Sequence, residues 1–192
     1  MKRLKILLIS LIVILSVIGF STPVNAAGYY YKYKGYIGNN YQFVKSKSFV
    51  NAVKKGKVTV NGRTVTNKVS GLSLEKSSST MIKYTLENKK LKSKYIVRKY
   101  DTVYFLNDNL KTYAITMPVK KGKITKKEFI KIYGKNNSET QVIENETSVY
   151  YKFKNHYFEG VFNKKNQLIG ISLSAHVSGQ FGKDLDEILF GD

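Results

Sequence analysis

Residues 28–56 read GYYYKYKGYIGNNYQFVKSKSFVNAVKKG, and both the fold and the chemistry of the chain turn on how that stretch alternates. At the two-residue period of a strand, Tyr29, Tyr31, Tyr33 and Ile37 share one face, while Tyr30, Lys32, Lys34 and Tyr36 share the other. Burying the first set leaves two rings bracketing two ammonium groups in water. Gly38-Asn39-Asn40 marks a turn, because Gly and Asn tolerate left-handed backbone. After the run Tyr41 to Val44, Ser48 is positioned to cap a helix whose apolar side is Phe49, Val50, Ala52 and Val53. Lys54 and Lys55 then fall in its last turn, at the negative end of the helix dipole, before a terminating Gly56.

Working outward, Lys57–Val60 and Arg63–Thr66 flank Asn61-Gly62, the pair that favours a type I′ hairpin. Residues 67–80 are Ser-rich with few large apolar side chains, which predicts a flexible loop or an irregular edge. Strands are predicted at Met81–Leu86, Tyr95–Tyr100, Thr102–Leu106 and Lys111–Val119, with Lys89, Lys90, Lys92, Lys94, Arg98 and Lys99 around Tyr95 and Tyr100 forming either a second basic cluster or a solvated loop with gatekeeper charges on an apolar strand. Thr125-Lys126-Lys127-Glu128 is a capping box that opens a helix ending at Tyr133-Gly134. A polar loop, 135–146, leads to strands at Ser148–Lys154, Tyr157–Asn163 and Leu168–Ala175, whose short joins predict an antiparallel meander. In the first of these strands Tyr150, Lys152 and Lys154 point one way and Val149, Tyr151 and Phe153 the other, repeating the Tyr-and-Lys exterior of the opening strand. Gln180–Asp192 reads as a last short helix whose acidic end, residues 183–192, is expected to be solvated rather than folded back onto the basic face in competition with an anionic ligand. The resulting class is α+β: an antiparallel β-sheet with two or three short helices packed on one face and the other face open to water.

Residues 1–26 have the form of a secretory signal. Lys2, Arg3 and Lys5 precede the apolar segment Ile6–Phe20, and Val24-Asn25-Ala26 is a small-residue cleavage site. The apolar segment is shorter than the about 20 residues that span a bilayer, so it is expected to be removed, leaving residues 27–192 as a single secreted domain with no transmembrane segment. The chain has no cysteine to carry a lipid anchor or a disulfide. Removal of the three basic residues of the signal from the total of 33 leaves 30, against 13 acidic ones. Between Gly28 and Leu74 there are nine Lys or Arg and no Asp or Glu, whereas Asp184–Asp192 holds four acids. Such a segment cannot neutralise itself locally and needs distant acids, counterions or an anionic partner.

No enzymatic constellation is legible. Without cysteine there is no thiolate nucleophile or ligand, and His156 and His176, both read as ordinary surface residues, lack a metal-binding spacing. Asp101 and Asp108 are not spaced diagnostically, no Gly-rich phosphate cradle occurs, and no cofactor is expected. Flat rings beside unopposed cations instead suit a polyanion. Aromatic stacking on unpaired bases contributes on the order of 1–3 kcal/mol each, and lysines release counterions from phosphates. Engagement of six to ten phosphates would weaken binding by roughly 10³ to 10⁵ between 50 and 200 mM salt. Three arginines in the whole chain, Arg3, Arg63 and Arg98, offer little for base readout, so specificity is expected to be low. Strand tyrosines are commonly half-buried packing groups, so the reading rests on a set: Tyr30, Lys32, Lys34, Tyr36, Lys54, Lys55, Lys57, Arg63, Tyr150, Lys152 and Lys154. DNA or RNA is the expected partner. The alternatives are an acidic host protein, bound or inhibited through the same aromatic face, and an anionic cell-envelope polymer, which would use the lysines without the tyrosines.

The string YYYKYKGYIGNNYQFVKSKSFVNAVKKGKVTVNG, Tyr29 to Gly62, resembles the opening of the mature immunodominant staphylococcal antigen B family. The pattern is a Tyr-rich start into GYIGNN, a Phe-containing strand, an F-x-N-A helix and an NG hairpin. The helix ending Ile132-Tyr133-Gly134 and the closing Tyr- and Phe-rich strands fit the same pattern, more loosely from Lys111 to Leu173, while Lys68–Tyr100 and the acidic end do not match. The resemblance implies an extracellular, surface-associated nucleic-acid binder without marked sequence preference, connected with evasion of host defence. It carries no catalytic residue over to this chain.

Overall fold

The computed structural model describes residues 30–38, 40–86, 91–142, 145–154 and 156–191. The signal segment and its cleavage site, Tyr29, Asn39 of the first turn, Lys89 and Lys90 lie outside the described residues. Among the described residues, four α-helices and eleven strands form an α+β structure with a small sheet stacked on a large one.

The opening strand β1 (Tyr31–Tyr33) pairs in parallel with β2 (Val58–Val60), which turns through Asn61-Gly62 into antiparallel β3 (Arg63–Thr64). Parallel neighbours need a crossover, and the intervening 3-10 turn Tyr41–Lys45 and helix α1 (Lys47–Lys54) supply it. The implied Phe-containing strand is therefore this 3-10 turn, which buries Phe43 and Val44. The cap of α1 is Ser46, not Ser48: the Phe49 amide donates to Ser46 Oγ at 3.3 Å, the geometry that a residue three positions upstream provides. Asn61 (φ 51°) and Gly62 (φ 87°) both adopt the left-handed backbone of a type I′ turn.

The large sheet runs β5 (Ile96–Lys99), β6 (Thr102–Leu106), β7 (Thr112–Pro118), β11 (Leu168–Ser178), β10 (His156–Phe162), β9 (Glu146–Phe153) and β8 (Ser138–Val142), all antiparallel, with β4 (Lys68–Ser70) added in parallel to β11. The meander β9-β10-β11 is as expected. The predicted loop 135–146 contains β8, an edge strand registered on β9.

One face of this sheet carries the main core. Tyr104, Ile115, Met117, Val149, Tyr151, Phe158 and Ile171 meet α1, the small sheet and helix α3 (Lys126–Tyr133) there. Three buried tyrosines bind the layers through their hydroxyls: Tyr104 donates to the Val60 carbonyl (3.1 Å), Tyr133 to that of Val44 (2.7 Å) and Tyr151 to that of Gly134 (2.9 Å). A buried phenol without such a partner would be strongly destabilising. Helix α3 approaches the sheet closely because Gly160 offers no side chain; a Cβ there would lie 2.6 Å from the Phe129 ring. Thr125 caps α3 as expected, while the Glu128 carboxylate pairs with Lys45 at 3.1 Å.

The other face is not left open throughout, contrary to the expectation that helices pack on one side only. Residues 67–80 are not a flexible loop: they form β4, a 3-10 turn (Gly71–Leu74) and the start of helix α2 (Glu75–Leu86), which also takes up the predicted strand Met81–Leu86. Tyr84 packs edge-on against Phe105 (5.4 Å) within a second cluster that includes Val69, Leu74, Ile96 and Ala114. The Ser-rich start of α2 is helical because its free amides are capped from elsewhere. Lys76 and Ser77 donate to the Asp108 carboxylate (3.3 and 3.1 Å), which stands in the β6–β7 turn. The hydroxyls of Ser77, Ser78, Ser79 and Thr80 return to carbonyls one turn back. Helix α4 (Gln180–Phe190) packs on the same face, with Leu185 against the second cluster.

Two outcomes test this architecture. Asp108→Ala removes the remote cap and is expected to cost about 1 kcal/mol, read as a lower urea midpoint together with reduced helical circular dichroism; unchanged stability would contradict the capping role. His156, expected at the surface, is instead buried beneath Gly56 and donates Nε2–H to the Val53 carbonyl. Burial pushes its imidazole below the ordinary value, an effect the Val53 bond only partly offsets. The unfolded chain therefore takes up the proton first, so the stability supplied by neutral His156 is complete above about pH 6.5 and is lost as pH falls below it. Urea midpoints measured across that range should fall on acidification, and His156→Gln should flatten the decline; a midpoint rising toward pH 5 contradicts this assignment.

Candidate functional site

From Tyr30 to Tyr36 burial alternates without a break: Tyr30, Lys32, Lys34 and Tyr36 are exposed, and Tyr31, Tyr33 and Gly35 are partly covered. The turned-in rings explain the pattern. Tyr31 lies 5.1 Å from Phe49 and 6.3 Å from Phe43, and Tyr33 lies 6.0 Å from Phe43. On the outer side, the Tyr30 hydroxyl shares a 2.6 Å hydrogen bond with Thr59 Oγ1, which in turn meets Thr64 Oγ1 at 2.6 Å. The Thr59 contact is the main cause that lowers the Tyr30 phenol pKa. Lys32 Nζ stands 5.2 Å from the centre of the Tyr30 ring. Tyr36 is 70% exposed and is met edge-on at 5.0 Å by Tyr100, itself 44% exposed, from the β5–β6 turn. The sequence marks Tyr100 only as a ring within the second basic cluster; its left-handed backbone (φ 56°) and its meeting with Tyr36 are tertiary facts.

The acid nearest this surface does not neutralise it. Asp101 accepts the Ile37 amide on both oxygens (2.9 Å each) and the Gly38 amide on Oδ2 (2.6 Å), tying the end of the opening segment to the β5–β6 turn. Asn61 fastens the same segment from below, accepting the Gly35 amide at 2.7 Å. Among the described residues, Lys32, Lys34, Lys54, Lys55 and Lys57 make no ion pair. Arg63 is different. Its guanidinium lies 5.7 Å from the Tyr104 ring centre and donates to Thr112 Oγ1 at 3.2 Å, so it braces the small sheet against the large one.

Tyr150, Lys152 and Lys154 do not join this surface. Val149 and Tyr151 point into the main core, on which the small sheet is stacked, so Tyr150 and Lys152 point from the opposite face of the large sheet. The expected single Tyr-and-Lys surface is thus two separate ones, because β1 belongs to a different sheet from β9. Tyr150 stands opposite Glu159 in the ladder, an unfavourable neighbour for phosphate. Lys152 pairs with Asp186 at 3.3 Å, and Lys154 is exposed at the β9–β10 turn. The acidic end is consequently not simply solvated. The Asp186 carboxylate accepts the Tyr157 hydroxyl at 2.5 Å and lies 3.6 Å from His176 Nε2. Burial would raise its pKa, but the hydrogen bonds from Tyr157 and Lys152 and the nearby positive charge outweigh that and hold it below the ordinary value. Burial and Asp186 together push the Tyr157 phenol upward.

The fold does gather lysines that the sequence keeps apart. Lys54, Lys135 and Lys152 line an open groove of about 430 Å³ whose other walls include Tyr133, Tyr151 and Phe153. Lys45 and Lys123 flank the Tyr41 ring at 6.0 and 5.9 Å. Thr125 bridges Gln167 and the Lys126 amide donates to the Asn166 carbonyl, which ties the loop carrying the exposed Lys164 and Lys165 to the start of α3. Lys135 and these loop pairings escaped notice, as no local pattern marks them. Among the described residues no group of three or more His, Cys, Asp or Glu could hold a metal ion, and no helix is long and apolar enough to cross a membrane.

Comparison with known proteins places the chain. Immunodominant staphylococcal antigen B from Staphylococcus aureus strains USA300 and NCTC 8325 is 54% identical over 33 residues, 17% of this chain and 19% of the relative. The chain thus matches about a fifth of the length of these relatives. Among solved structures, a DUF4309 family protein (YjgB) from Bacillus subtilis superposes with a TM-score of 0.42 at 14% identity, covering 70% of this chain and 96% of that one. The family model described as immunodominant staphylococcal antigen B matches residues 30–173, all of the small sheet and the large sheet into β11, so the chain belongs to the immunodominant staphylococcal antigen B family.

Proposed function

We propose that this chain is a secreted, surface-associated protein that binds nucleic acid without sequence preference, acts by binding rather than by catalysis, and serves evasion of host defence. The supporting observation is the exposed stripe Tyr30, Lys32, Lys34 and Tyr36, joined by Tyr100, on a segment whose nearest acid is occupied by backbone amides. Rings at Tyr30 and Tyr36 can stack on unpaired bases while the lysines between them meet the phosphates, a combination that reads no particular base. Membership of a staphylococcal antigen family agrees with an extracellular setting.

The separation of Tyr150 and Lys152 from the stripe alters the magnitude. About four phosphates, rather than six to ten, are within reach of Lys32, Lys34, Lys57 and a flanking cation. At roughly 0.7 counterions released per phosphate on a single strand, affinity should fall by about 50-fold between 50 and 200 mM salt. A second reading is a base-free envelope polyphosphate, which would use the exposed Lys120, Lys121, Lys123, Lys164 and Lys165 of two loops without the tyrosines.

Fluorescence anisotropy with unrelated single-stranded oligonucleotides over a salt series separates the readings. The pair Lys32→Gln and Lys34→Gln should weaken binding about tenfold and flatten its salt dependence; Tyr30→Ala with Tyr36→Ala should weaken it with the salt slope preserved. Equal binding to a polyglycerol phosphate, unaffected by the tyrosine changes but abolished by Lys164→Gln and Lys165→Gln, would replace the nucleic-acid reading with the envelope one.

A further inference from the structure

Three hydrogen-bond donors from three neighbouring strands converge on one carboxylate. Tyr157 of β10 gives its hydroxyl to Asp186 Oδ1 at 2.5 Å, while Lys152 Nζ of β9 and His176 Nε2 of β11 stand 3.3 and 3.6 Å from Oδ2. Residues 152 and 157 are cross-strand partners, and 157 is registered on 174, two positions from 176, so the three side chains leave the same face. A phenol, an ammonium group and an imidazole around a single pair of oxygens form the donor set that a phosphate also takes. Here the anion comes from the chain itself.

The helix that delivers it packs on β11, on β8 and on the 3-10 turn Gly71–Leu74. Phe190 stacks on Tyr157 (6.2 Å, 15°) with Lys152 Nζ 5.8 Å from its ring, Leu185 touches the second cluster, and Gly182 lets the first turn sit directly on the Val177 carbonyl. Its N-terminus at Gly179 has no side-chain cap, and Ile188 is 74% exposed. Lys152, the residue that binds the helix by its charge, stands on the face of the large sheet opposite the main core. An anionic polymer laid across β9, β10 and β11 on that face would compete with Asp186 for the same ammonium group.

We infer that Tyr157, Lys152 and His176 form a phosphate subsite occupied in the free protein by Asp186, and that α4 is a strap displaced when a nucleic-acid backbone takes its place across β9, β10 and β11. The inference rests on the nucleic-acid reading and adds to it a second contact surface, on the far side of the large sheet from the Tyr30–Tyr36 stripe, with a built-in competitor. The strap sets a threshold: short or dilute ligands leave α4 in place, and only a polymer that gains several contacts at once releases it.

The test uses the full mature chain and a single-stranded oligonucleotide followed by anisotropy at fixed ionic strength. Asp186→Asn should tighten binding by about tenfold, in the usual range for competitive coupling between sites. Asp184→Asn, which removes the same charge from the same helix without touching the subsite, should change affinity less than about twofold, as a single solvated rim charge does. Adding Lys152→Gln to Asp186→Asn should abolish the gain. Inorganic phosphate should compete only at far higher concentration than the oligonucleotide; equal competition per phosphate would assign the subsite to a free anion and overturn the strap. Hydrogen exchange on the unmutated protein gives an independent reading: amides of 180–190 should exchange faster when the oligonucleotide saturates. If the unmutated chain binds but Asp186→Asn binds no tighter than Asp184→Asn, or 180–190 stay protected, the strap is refuted while nucleic-acid binding stands. If neither the unmutated chain nor Asp186→Asn binds at low salt, both readings fall.

Discussion

The pairing of β1 with β2 governs what the opening segment can present. Once Tyr31 and Tyr33 are drawn against Phe43 and Phe49, the pleat leaves Lys32 and Lys34 no inward option, and the stripe Tyr30–Tyr36 follows from that burial. The pairing is itself secured at both ends. The Tyr31 amide donates to the Lys57 carbonyl at 3.0 Å and the Asn61 amide to the Tyr33 carbonyl at 2.7 Å, while Asp101 and the Asn61 side chain hold the chain as it leaves the strand. A three-residue strand would otherwise be too short to keep one register.

The same economy of polar anchors runs through the interior. Tyr104, Tyr133 and Tyr151 fill the main core with rings and spend their hydroxyls on carbonyls of the 3-10 turn, the hairpin and the end of α3, so apolar burial and layer register are achieved by the same residues. The absence of disulfides makes this matter: burial and satisfied polar groups are what remain to hold two stacked sheets together.

Charge is arranged by a different logic on each side of the molecule. Near the stripe, the Asp101 carboxylate is turned to backbone amides, and Lys32 and Lys34 make no ion pair among the described residues. Across the large sheet, Asp186 is brought onto Lys152, Tyr157 and His176, so that surface is already compensated. One face thus presents lysines without an ion pair among the described residues, and the other a lysine already paired within the chain.

Much was legible in the residues themselves where structure is local. The two-residue alternation from Tyr30 to Tyr36, the Asn-Gly turn, the Thr125 cap and the three-strand meander are fixed by neighbours a few positions apart, and each formed as read. The α+β class and the family were legible for the same reason. What could not be read is what distant residues impose. A Ser-rich stretch became α2 because Asp108 caps it from another turn, His156 was buried by Gly56 arriving from a hundred residues away, and Arg63 became a brace between sheets. Most consequentially, Tyr30 and Tyr150 share a local pattern but not a surface. Alternation states only that one side of a strand faces out; which sheet the strand joins, and hence which way out is, depends on long-range pairing that tertiary packing alone decides.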